Sequence, residues 1–525
     1  MSRIYISALH KSSGKTTLAI GITAALSARD VTVQPYKRGP DYIDPGWLSL
    51  AAGRPCHNLD FHTQSTAELL SSVAQYNAQF ALIEGNKGLH DGTDAQGKDS
   101  NAALAALLQT PVVLVVDCRG MTRGIAPTLL GHSQFDPRIQ VSGVILNRVA
   151  GSRHERKLRQ AVEQYTDISV LGAIPDQSEL AIAAPYLGLV PAPEQREQAQ
   201  RTIRTIAAVT AEHVDLEQTL SIGRLEKLTR SDWLPGCEGR RESIPGGFTA
   251  PSLAPRPSPR DNQSDRWNPA SCPIGRKQEP SRAPSVESHP PPRHYEQPSQ
   301  AEATLRLGVA YDQAFNFYYP GDLQALQAAG AELVWIDMLS APELPPQLDG
   351  LLIGGGFPER HAAALAANES MRASVSAAAL VGLPIYAECG GLMYLCQHLS
   401  IGDATYPMAG LFPLTIAMNR KPQGHGYVRL QVNPSAPWSP AAPGQNELPA
   451  HEFHYSALAA AAPRDAESTF TYAYQIQGGS GLGNGHDGLV KANTMASYAH
   501  LRHTQASPWA DNFIAFLRRA SKTTP

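Results

Sequence analysis

Ser13-Gly14-Lys15-Thr16-Thr17 follows the apolar run Ile4-Tyr5-Ile6 and opens a helix-like stretch. A glycine–lysine–hydroxyl turn between a strand and a helix aims successive backbone N–H groups at phosphate oxygens. It works only where the strand lies in a sheet with the helix packed on its face, so it constrains the fold of this half strongly. Gly14, Lys15, Thr16 and Thr17 are the expected nucleotide-binding residues, with Lys15 on the β/γ-phosphates and the Thr16 hydroxyl suited to Mg²⁺. The strict GxxxxGK[ST] pattern would put a glycine at Leu9, and Lys11-Ser12-Ser13 also lacks one. In isolation such a triplet is as often structural as functional. The strand before it and the helix after it favour a phosphate site.

The rest of the first half agrees. Apolar runs at Ile4–Ser7, Val31–Gln34, Ala81–Glu84, Val112–Asp117, Val141–Asn147 and Val170–Ile174 alternate with the helix-like stretches Leu18–Ala28 and Ala102–Leu108. Continuous Val/Ile/Leu strands separated by helices predict an α/β fold with a parallel sheet covered on both faces, its active loops at the strands' carboxyl ends. Lys37-Arg38-Gly39-Pro40-Asp41-Tyr42-Ile43-Asp44-Pro45 follows the second run, and Glu84-Gly85-Asn86-Lys87-Gly88-Leu89-His90-Asp91-Gly92 follows the third. Glu84 and Asp44 can join Thr16 in holding Mg²⁺. Asp41, Tyr42 and Asp91 are candidates for binding substrate or assisting phosphoryl transfer. Any one of these acids alone is more often a solvated loop carboxylate; three segments converging on one sheet edge outweigh that reading.

Between residues 251 and 300 the chain holds 12 of its 42 prolines among polar residues. Such a stretch buries too little apolar surface to offset its ordering entropy, and it predicts a disordered linker. The expected division is 1–235, a linker at 236–304, and 305–525. A second α/β pattern then begins, with runs at Leu307–Tyr311, Leu333–Ile336, Leu351–Ile353 and Ile385–Ala387, and antiparallel strands suggested at Tyr427–Val432 and Phe470–Gln475. The run Tyr386-Ala387-Glu388-Cys389-Gly390-Gly391 puts a cysteine at a strand-to-helix turn, the place for a thiol nucleophile. The N–H of Gly390 and a donor from the Gly354-Gly355-Gly356 loop, with Gly355 as the candidate, can stabilise an oxyanion. The base must come from elsewhere: His500, in Ser497-Tyr498-Ala499-His500, is the candidate, with His451 and His454 as competitors. Isolated cysteines and histidines are usually structural, and only the conjunction reverses that. Cys396 is expected inside the same helix as core.

Composition narrows the function classes. A 42% hydrophobic chain with 17% charged residues suits globular domains, and a net charge of −3 gives no reason to expect nucleic acid or a membrane surface as partner. Six scattered cysteines without a CxxC pair suit a reducing cytoplasm. No signal peptide is expected before the first strand, and no apolar stretch is long enough for a membrane helix.

The blocks KRGPDYIDP and EGNKGLHDG, with LGLV at Leu187–Val190, resemble those of the cobyrinic acid a,c-diamide synthase family, over residues 1–195 and 305–510. The resemblance implies a dethiobiotin-synthetase-like ATPase joined to a class I glutamine amidotransferase domain. It also implies ATP- and glutamine-dependent amidation of a tetrapyrrole's side-chain carboxylates, with Asp41, Asp44, Glu84 and Asp91 as functional acids. Cys389 and His500 would act as a pair without a third carboxylate. Departures are HKSSGKTT at the phosphate turn, Asn86-Lys87 and His90 in the second block, Ala184-Pro185-Tyr186 before LGL, and Arg502 for a histidine. They are similar also to the branch that amidates sirohaem for dissimilatory sulfite reductase. Mg²⁺, ATP, L-glutamine and a tetrapyrrole are the implied ligands. A protected ammonia route between the two sites is expected, and a homodimer stays open. The rival reading from another class is a switch ATPase, whose signature lysine would stand where His10 does.

Overall fold

The computed structural model describes residues 1–176, 193–224, 304–459 and 469–523. The family block at 187–190, the proline-rich stretch and the expected boundary at 235–236 lie outside them. The first half is built on β1 (Ser2–Ala8), β2 (Val33–Arg38), β3 (His57–Leu59), β4 (Phe80–Glu84), β5 (Val112–Asp117), β6 (Val141–Val149) and β7 (Ser169–Pro175). These form one seven-stranded sheet in the order β3-β2-β4-β1-β5-β6-β7, and every pairing is parallel. Alternate residues of each strand go to opposite faces. Tyr5, Ile83 and Leu114 join one core, and Ile4, Ile6, Leu82 and Val113 join the other. Helices α1 (Lys15–Ser27), α2 (Ile43–Ala52), α3 (Thr66–Ala74), α4 (Asn101–Leu107), α5 (Ile125–Gln134), α6 (Ser152–Tyr165), α7 (Pro193–His213) and α8 (Leu216–Gly223) connect or cover the strands. Sequence-encoded caps start several of them. Ser65 and Glu68 form a reciprocal capping box on α3, and the Ser100 and Asp215 side chains cap α4 and α8.

Two features differ from the sequence expectation. β2 runs from Val33 to Arg38 instead of 31 to 34, so Lys37 and Arg38 are strand residues and buried. β3 is a three-residue strand at the sheet edge with no apolar run to announce it.

The second half comprises β8 (Leu305–Ala310), β9 (Phe315–Phe317), β10 (Ala331–Ile336), β11 (Gly350–Ile353), β12 (Gly355–Gly356), β13 (Ile385–Glu388), β14 (Cys396–Ile401), β15 (Ala404–Pro407), β16 (Phe412–Met418), β17 (Gly424–Val432), β18 (Glu447–His454), β19 (Ser456–Leu458), β20 (Thr471–Gly478), β21 (His486–Lys491) and β22 (Thr494–Ser497). Its helices are α9 (Pro320–Ala328), α10 (Ala362–Ala367), α11 (Glu369–Leu380), α12 (Gly390–Leu395) and α13 (Trp509–Thr523). The main sheet is nine-stranded and mixed, in the order β10-β8-β11-β13-β22-β21-β20-β17-β18. It is parallel from β10 to β22 and antiparallel from β22 to β18. β14, β15, β16 and β19 form a separate small sheet. Cys396 is buried core, but it begins β14 and lies outside the helix, because α12 ends at Leu395.

The halves form one compact unit and are joined by named bonds. Tyr427 donates to Asp60 Oδ1 at 2.8 Å, Tyr76 to Gln324 Oε1 at 3.0 Å, and Gln505 N to Glu68 Oε1 at 2.7 Å. The Arg502 guanidinium donates to the Asn58 carbonyl, while the Asn58 amide donates to the carbonyls of Gly39 and Asp41. Arg502, which departs from the family's histidine, thus holds the loop that bears the first-half acids.

Candidate functional site

The phosphate turn sits at the carboxyl end of β1, between β4 and β5 in the sheet. Gly14 caps α1 with φ 94°, and a Cβ there would stand 2.3 Å from Asn147 Nδ2, so glycine is required on both counts. Asn147, at the end region of β6, donates to the Ser13 carbonyl at 2.8 Å and braces the turn. Ser12 also has positive φ, 67°, at a position where glycine would be unstrained. Lys15 is buried at the first turn of α1, its Nζ 3.5 Å from the His10 carbonyl. Burial draws its pKa down to about 8, with Lys37 adding to that and Glu84, Asp44 and Asp91 opposing it. Thr17 follows in the same helical turn.

Thr16 Oγ1 donates to Glu84 Oε1 at 2.6 Å and lies 3.2 Å from Asp44 Oδ2. The sequence thus names three residues that meet. The residue it misses is Lys37: its Nζ lies 2.5 Å from Asp44 Oδ2, 3.0 Å from Glu84 Oε1 and 4.0 Å from Asp41 Oδ2. Lys37 and Glu84 are register partners on neighbouring parallel strands, which fixes the pairing. Burial drives the Glu84 carboxyl up to about 7, with Lys37 and the Thr16 hydrogen bond offsetting only part. Asp44, half-buried, falls below the usual carboxylate range because Lys37 and Thr16 bind its charged form and outweigh its desolvation. Asp41 rises to about 6 through burial and the nearby Asp44 charge, and its Oδ1 accepts from the N–H groups of Ile43 and Asp44. Asp91 turns back onto its own loop, accepting from Gly88 N at 2.9 Å.

Among the described residues no group of three or more His, Cys, Asp and Glu is gathered closely enough to hold a metal unaided. Mg²⁺ does not require one, since it commonly takes one or two carboxylates and fills the rest with phosphate oxygens and water. Glu84 Oε2 is buried without a hydrogen-bond partner. That oxygen, with Thr16 Oγ1 and Asp44 Oδ2, is a donor set of the right hardness.

Tyr42 goes elsewhere. It is a candidate for binding substrate or assisting phosphoryl transfer, and its ring stacks on Phe317 at 4.9 Å and 3° and leans on Tyr319 at 4.6 Å. Its hydroxyl lies 3.4 Å from His500 Nδ1. The aromatic residues of the second half draw it across.

In the second half β11, β13 and β22 lie side by side, and their carboxyl ends supply the thiol site. Glu388 pairs with Ser497 in register, and Cys389 N donates to the Ser497 carbonyl at 2.6 Å. Cys389 has φ 46° and ψ −98°, a strained turn of the kind that costs about 1–3 kcal/mol and projects a side chain off the strand end. His500 Nδ1 lies 3.4 Å from Glu388 Oε2. Burial disfavours the His500 cation, but the bonds to Cys389 and Glu388 outweigh it and raise its pKa to about 10. Glu388 is itself held, its Oε1 accepting from Tyr386 Oη at 2.6 Å and from Leu501 N at 2.9 Å. A carboxylate therefore does face the histidine, contrary to the expected pair without one. It comes from the residue before the nucleophile, which the cysteine motif itself displays.

The competing histidines are placed differently. His451 stacks on His500 at 4.8 Å, and burial together with the His500 charge holds its pKa well below the ordinary value. His454 stacks on Tyr498 at 3.8 Å and bonds the Ser456 carbonyl. A Cβ on Gly355 would lie 2.6 Å from His500 Cε1, so that glycine floors the base. A Cβ on Gly390 would lie 3.2 Å from Gly356 N. The loop amide that approaches Gly390 is thus that of Gly356, and Gly355 is paired with Phe317 of β9.

Comparison with known proteins agrees with this division. Residues 6–186 match the CobQ/CobB/MinD/ParA nucleotide binding domain, and residues 306–508 match the CobB/CobQ-like glutamine amidotransferase domain. The cobyrinate a,c-diamide synthase of Magnetococcus marinus is 40% identical over 100% of this chain and 99% of its own. That of Methanosarcina barkeri is 34% identical over 100% and 98%. The hydrogenobyrinate a,c-diamide synthase of Mycobacterium bovis is 33% identical over 100% and 99%. These matches span both halves, which a switch ATPase would not require, and none of the three relatives is named for sirohaem. The chain belongs to the cobyrinate a,c-diamide synthase family.

Proposed function

We propose that this protein uses ATP and glutamine to convert the a and c acetate side chains of cobyrinic acid to amides, in cobalamin biosynthesis. The observation that carries the reading is the joining, in one compact unit, of a phosphate turn backed by Thr16, Asp44 and Glu84 to a strained thiol paired with His500. Lys15 and the N–H groups of the α1 turn hold the nucleotide phosphates and meet the charge that develops as the acceptor carboxylate attacks the γ-phosphate. ADP leaves and an acyl phosphate forms. Thr16, Asp44 and Glu84 would hold Mg²⁺, which would supply charge neutralisation for the phosphates. Asp41 and Asp91 line the acceptor side.

At the second site the Cys389 thiolate attacks glutamine's carboxamide carbon, while His500 passes its proton to the departing nitrogen. Gly390 N and an N–H of the Gly355–Gly356 turn receive the oxyanion, and Glu388 holds His500 in orientation. Ammonia leaves, water cleaves the thioester to glutamate, and the ammonia displaces phosphate from the acyl phosphate to give the amide. Among the described residues no helix is long and apolar enough to cross a membrane. The free, buried Cys56, Cys118, Cys389 and Cys396 suit the cytoplasm.

The test is mass spectrometry after incubation with Mg·ATP and glutamine, offering cobyrinic acid and sirohaem separately. Each carboxylate converted lowers the mass by about one unit as O–H becomes N–H₂. Two steps on cobyrinic acid are expected; change on sirohaem alone would overturn the choice of acceptor.

A further inference from the structure

We infer that Lys87 is a specificity-determining residue of the acceptor site, and that its ammonium receives a carboxylate of the tetrapyrrole other than the one being activated. The inference rests on the function proposed above and names the part of the acceptor that is read. Lys87 stands three residues beyond Glu84, in the loop that follows β4. Its φ is 42°, in the left-handed region that an L side chain rarely adopts and glycine adopts freely. Gly85 and Gly88 flank it closely, yet the strained position itself carries a long cationic side chain. Strain of this kind gathers where a side chain has work that glycine cannot do.

The residues on either side leave the loop no freedom to relax. Asn101, fully buried, donates through Nδ2 to the carbonyls of Asn86 and Gly88, and its Oδ1 accepts from Asn86 N at 3.2 Å. Tyr5 Oη donates to that same Oδ1 at 2.9 Å, and Arg38 donates to Asn86 Oδ1. Gly88 N donates to Asp91 Oδ2 at 2.9 Å. One buried asparagine thus clamps both flanks, and the residue between them is exposed. The loop is also tied to the strand that leads into the phosphate turn. Gly85 N donates to the Ile6 carbonyl at 2.9 Å, and Leu89 N to that of Ala8 at 2.8 Å. A Cβ on Gly88 would lie 2.6 Å from the Leu9 carbonyl oxygen. Lys87 is therefore held close to the phosphate turn and to Glu84 together.

Charge says what the exposed ammonium is for. Lys37 is buried among Asp41, Asp44 and Glu84, Lys15 is buried at the start of α1, and Arg38 is buried against Asn86. Those cations answer the protein's own acids and the nucleotide. Asp91, on the same loop, is exposed, so an acceptor bearing several carboxylates meets negative charge as it arrives. Among the described residues Lys87 has no ion-pair partner of its own. The reacting carboxylate is a poor match for it, because an ammonium there would stabilise the nucleophile before attack as much as during it. A second carboxylate on the ring gains binding energy from the contact and fixes the ring while its neighbour faces the phosphate.

The experiment measures KM for cobyrinic acid and for ATP in ammonium-driven amidation by the full-length protein, so that the thiol site plays no part. Lys87→Met keeps the unbranched stem and removes the charge. Its KM for cobyrinic acid should rise at least fivefold, with KM for ATP changed less than twofold. That KM should also climb less steeply with added salt than the wild type's, since one screened ion pair is gone. Lys87→Arg keeps the charge and should stay within threefold of the wild type. Lys87→Gly removes charge and strain together, so it should raise KM for cobyrinic acid as Lys87→Met does while unfolding in urea no earlier than the wild type. A rise of less than fivefold in both Lys87→Met and Lys87→Gly would overturn the proposal. A rise in KM for ATP alone would overturn it too, and would place the ammonium on the nucleotide. Equal loss of acceptor affinity in Lys87→Arg and Lys87→Met would do the same, by showing that shape and not charge is read. A wild type that leaves cobyrinic acid unchanged would instead sink the reading of the acceptor, and this inference with it.

Discussion

The two sites reach readiness by opposite means. In the nucleotide half the organising force is buried charge: one lysine, Lys37, sits among Asp41, Asp44 and Glu84, and a hydroxyl completes the cluster. Positive-φ residues occur there too, at Ser12, Lys87 and Arg148, but none of them bears one of the clustered charges. In the thiol half the organising force is backbone geometry, a cysteine in a strained conformation wedged between neighbouring strand ends. A site that must accept a highly charged ligand keeps compensating charges in place, whereas one that must present a single sulfur needs only a rigid elbow.

Substitutions separate the two strategies. The largest effect belongs to Cys389→Ser, which should abolish glutamine-driven amidation, by roughly 10⁴-fold or more, because it removes the covalent route outright. Ammonium-driven amidation at raised pH should survive within a few-fold; full activity with glutamine would refute the thiol assignment. Lys15→Ala should lower both glutamine- and ammonium-driven amidation by roughly 10²–10³-fold, the scale for removing a group that meets transition-state charge. Parallel assays with the two nitrogen sources distinguish these variants directly.

Glu388→Gln should come next, reducing glutamine-driven kcat by roughly 10–10²-fold through loss of a charge-assisted hydrogen bond to the base. Its pH signature follows from sign. Glu388 helps raise the His500 pKa to about 10, so the stabilisation of the charged histidine is full below its unfolded value of about 6.5 and is lost as pH rises through the folded one. Removing Glu388 should move that loss, and the alkaline limb of glutamine hydrolysis, to lower pH. The groups facing the ring are Cys389, Glu388, Tyr42 and His451, and an unchanged limb would show that Cys389 alone sets it.

Lys37→Met tests the other strategy by stability. Leaving Glu84 and Asp44 without their buried counter-ion should cost about 3–5 kcal/mol in urea unfolding, although uptake of a proton by Glu84 will reduce this near neutral pH. The smallest effect should follow deletion of residues 251–300. Every site residue lies outside that stretch, so glutamine-driven turnover should change by less than about twofold; complete loss would make the segment part of the coupling.

How much of this is legible in the sequence follows the same divide. Strands whose two faces are both buried announce themselves, and Val112–Asp117 is read to the residue. β2 is misplaced because its last residues, Lys37 and Arg38, are polar yet buried, and only their distant partners explain that burial. β3 carries three residues and takes its conformation from β2. Glu84 is legible because it ends β4, and Thr16 and Asp44 because each lies in the first turn of the helix that follows a strand. Lys37 is hidden in plain view, as the first residue of the block that names two of the acids. The Cys389 elbow is a local pattern and reads well. Glu388 is adjacent to it, but its approach to His500 depends on β13 and β22 being neighbours. Tyr42 shows where reading by neighbours stops: the residues beside it point to one site, and its ring packs in an aromatic cluster of the other half that no local pattern announces.

The adjacency of β13 and β22 has a consequence for engineering. Cys389 and His500 leave the ends of two hydrogen-bonded parallel strands, so their spacing is set by the sheet and not by the long excursion of chain between them. That excursion includes the hairpin of β14 and β15, whose tip at Gly402 and Asp403 is exposed. A reporter domain or affinity tag inserted at that tip would travel with the enzyme without altering the distance between sulfur and imidazole.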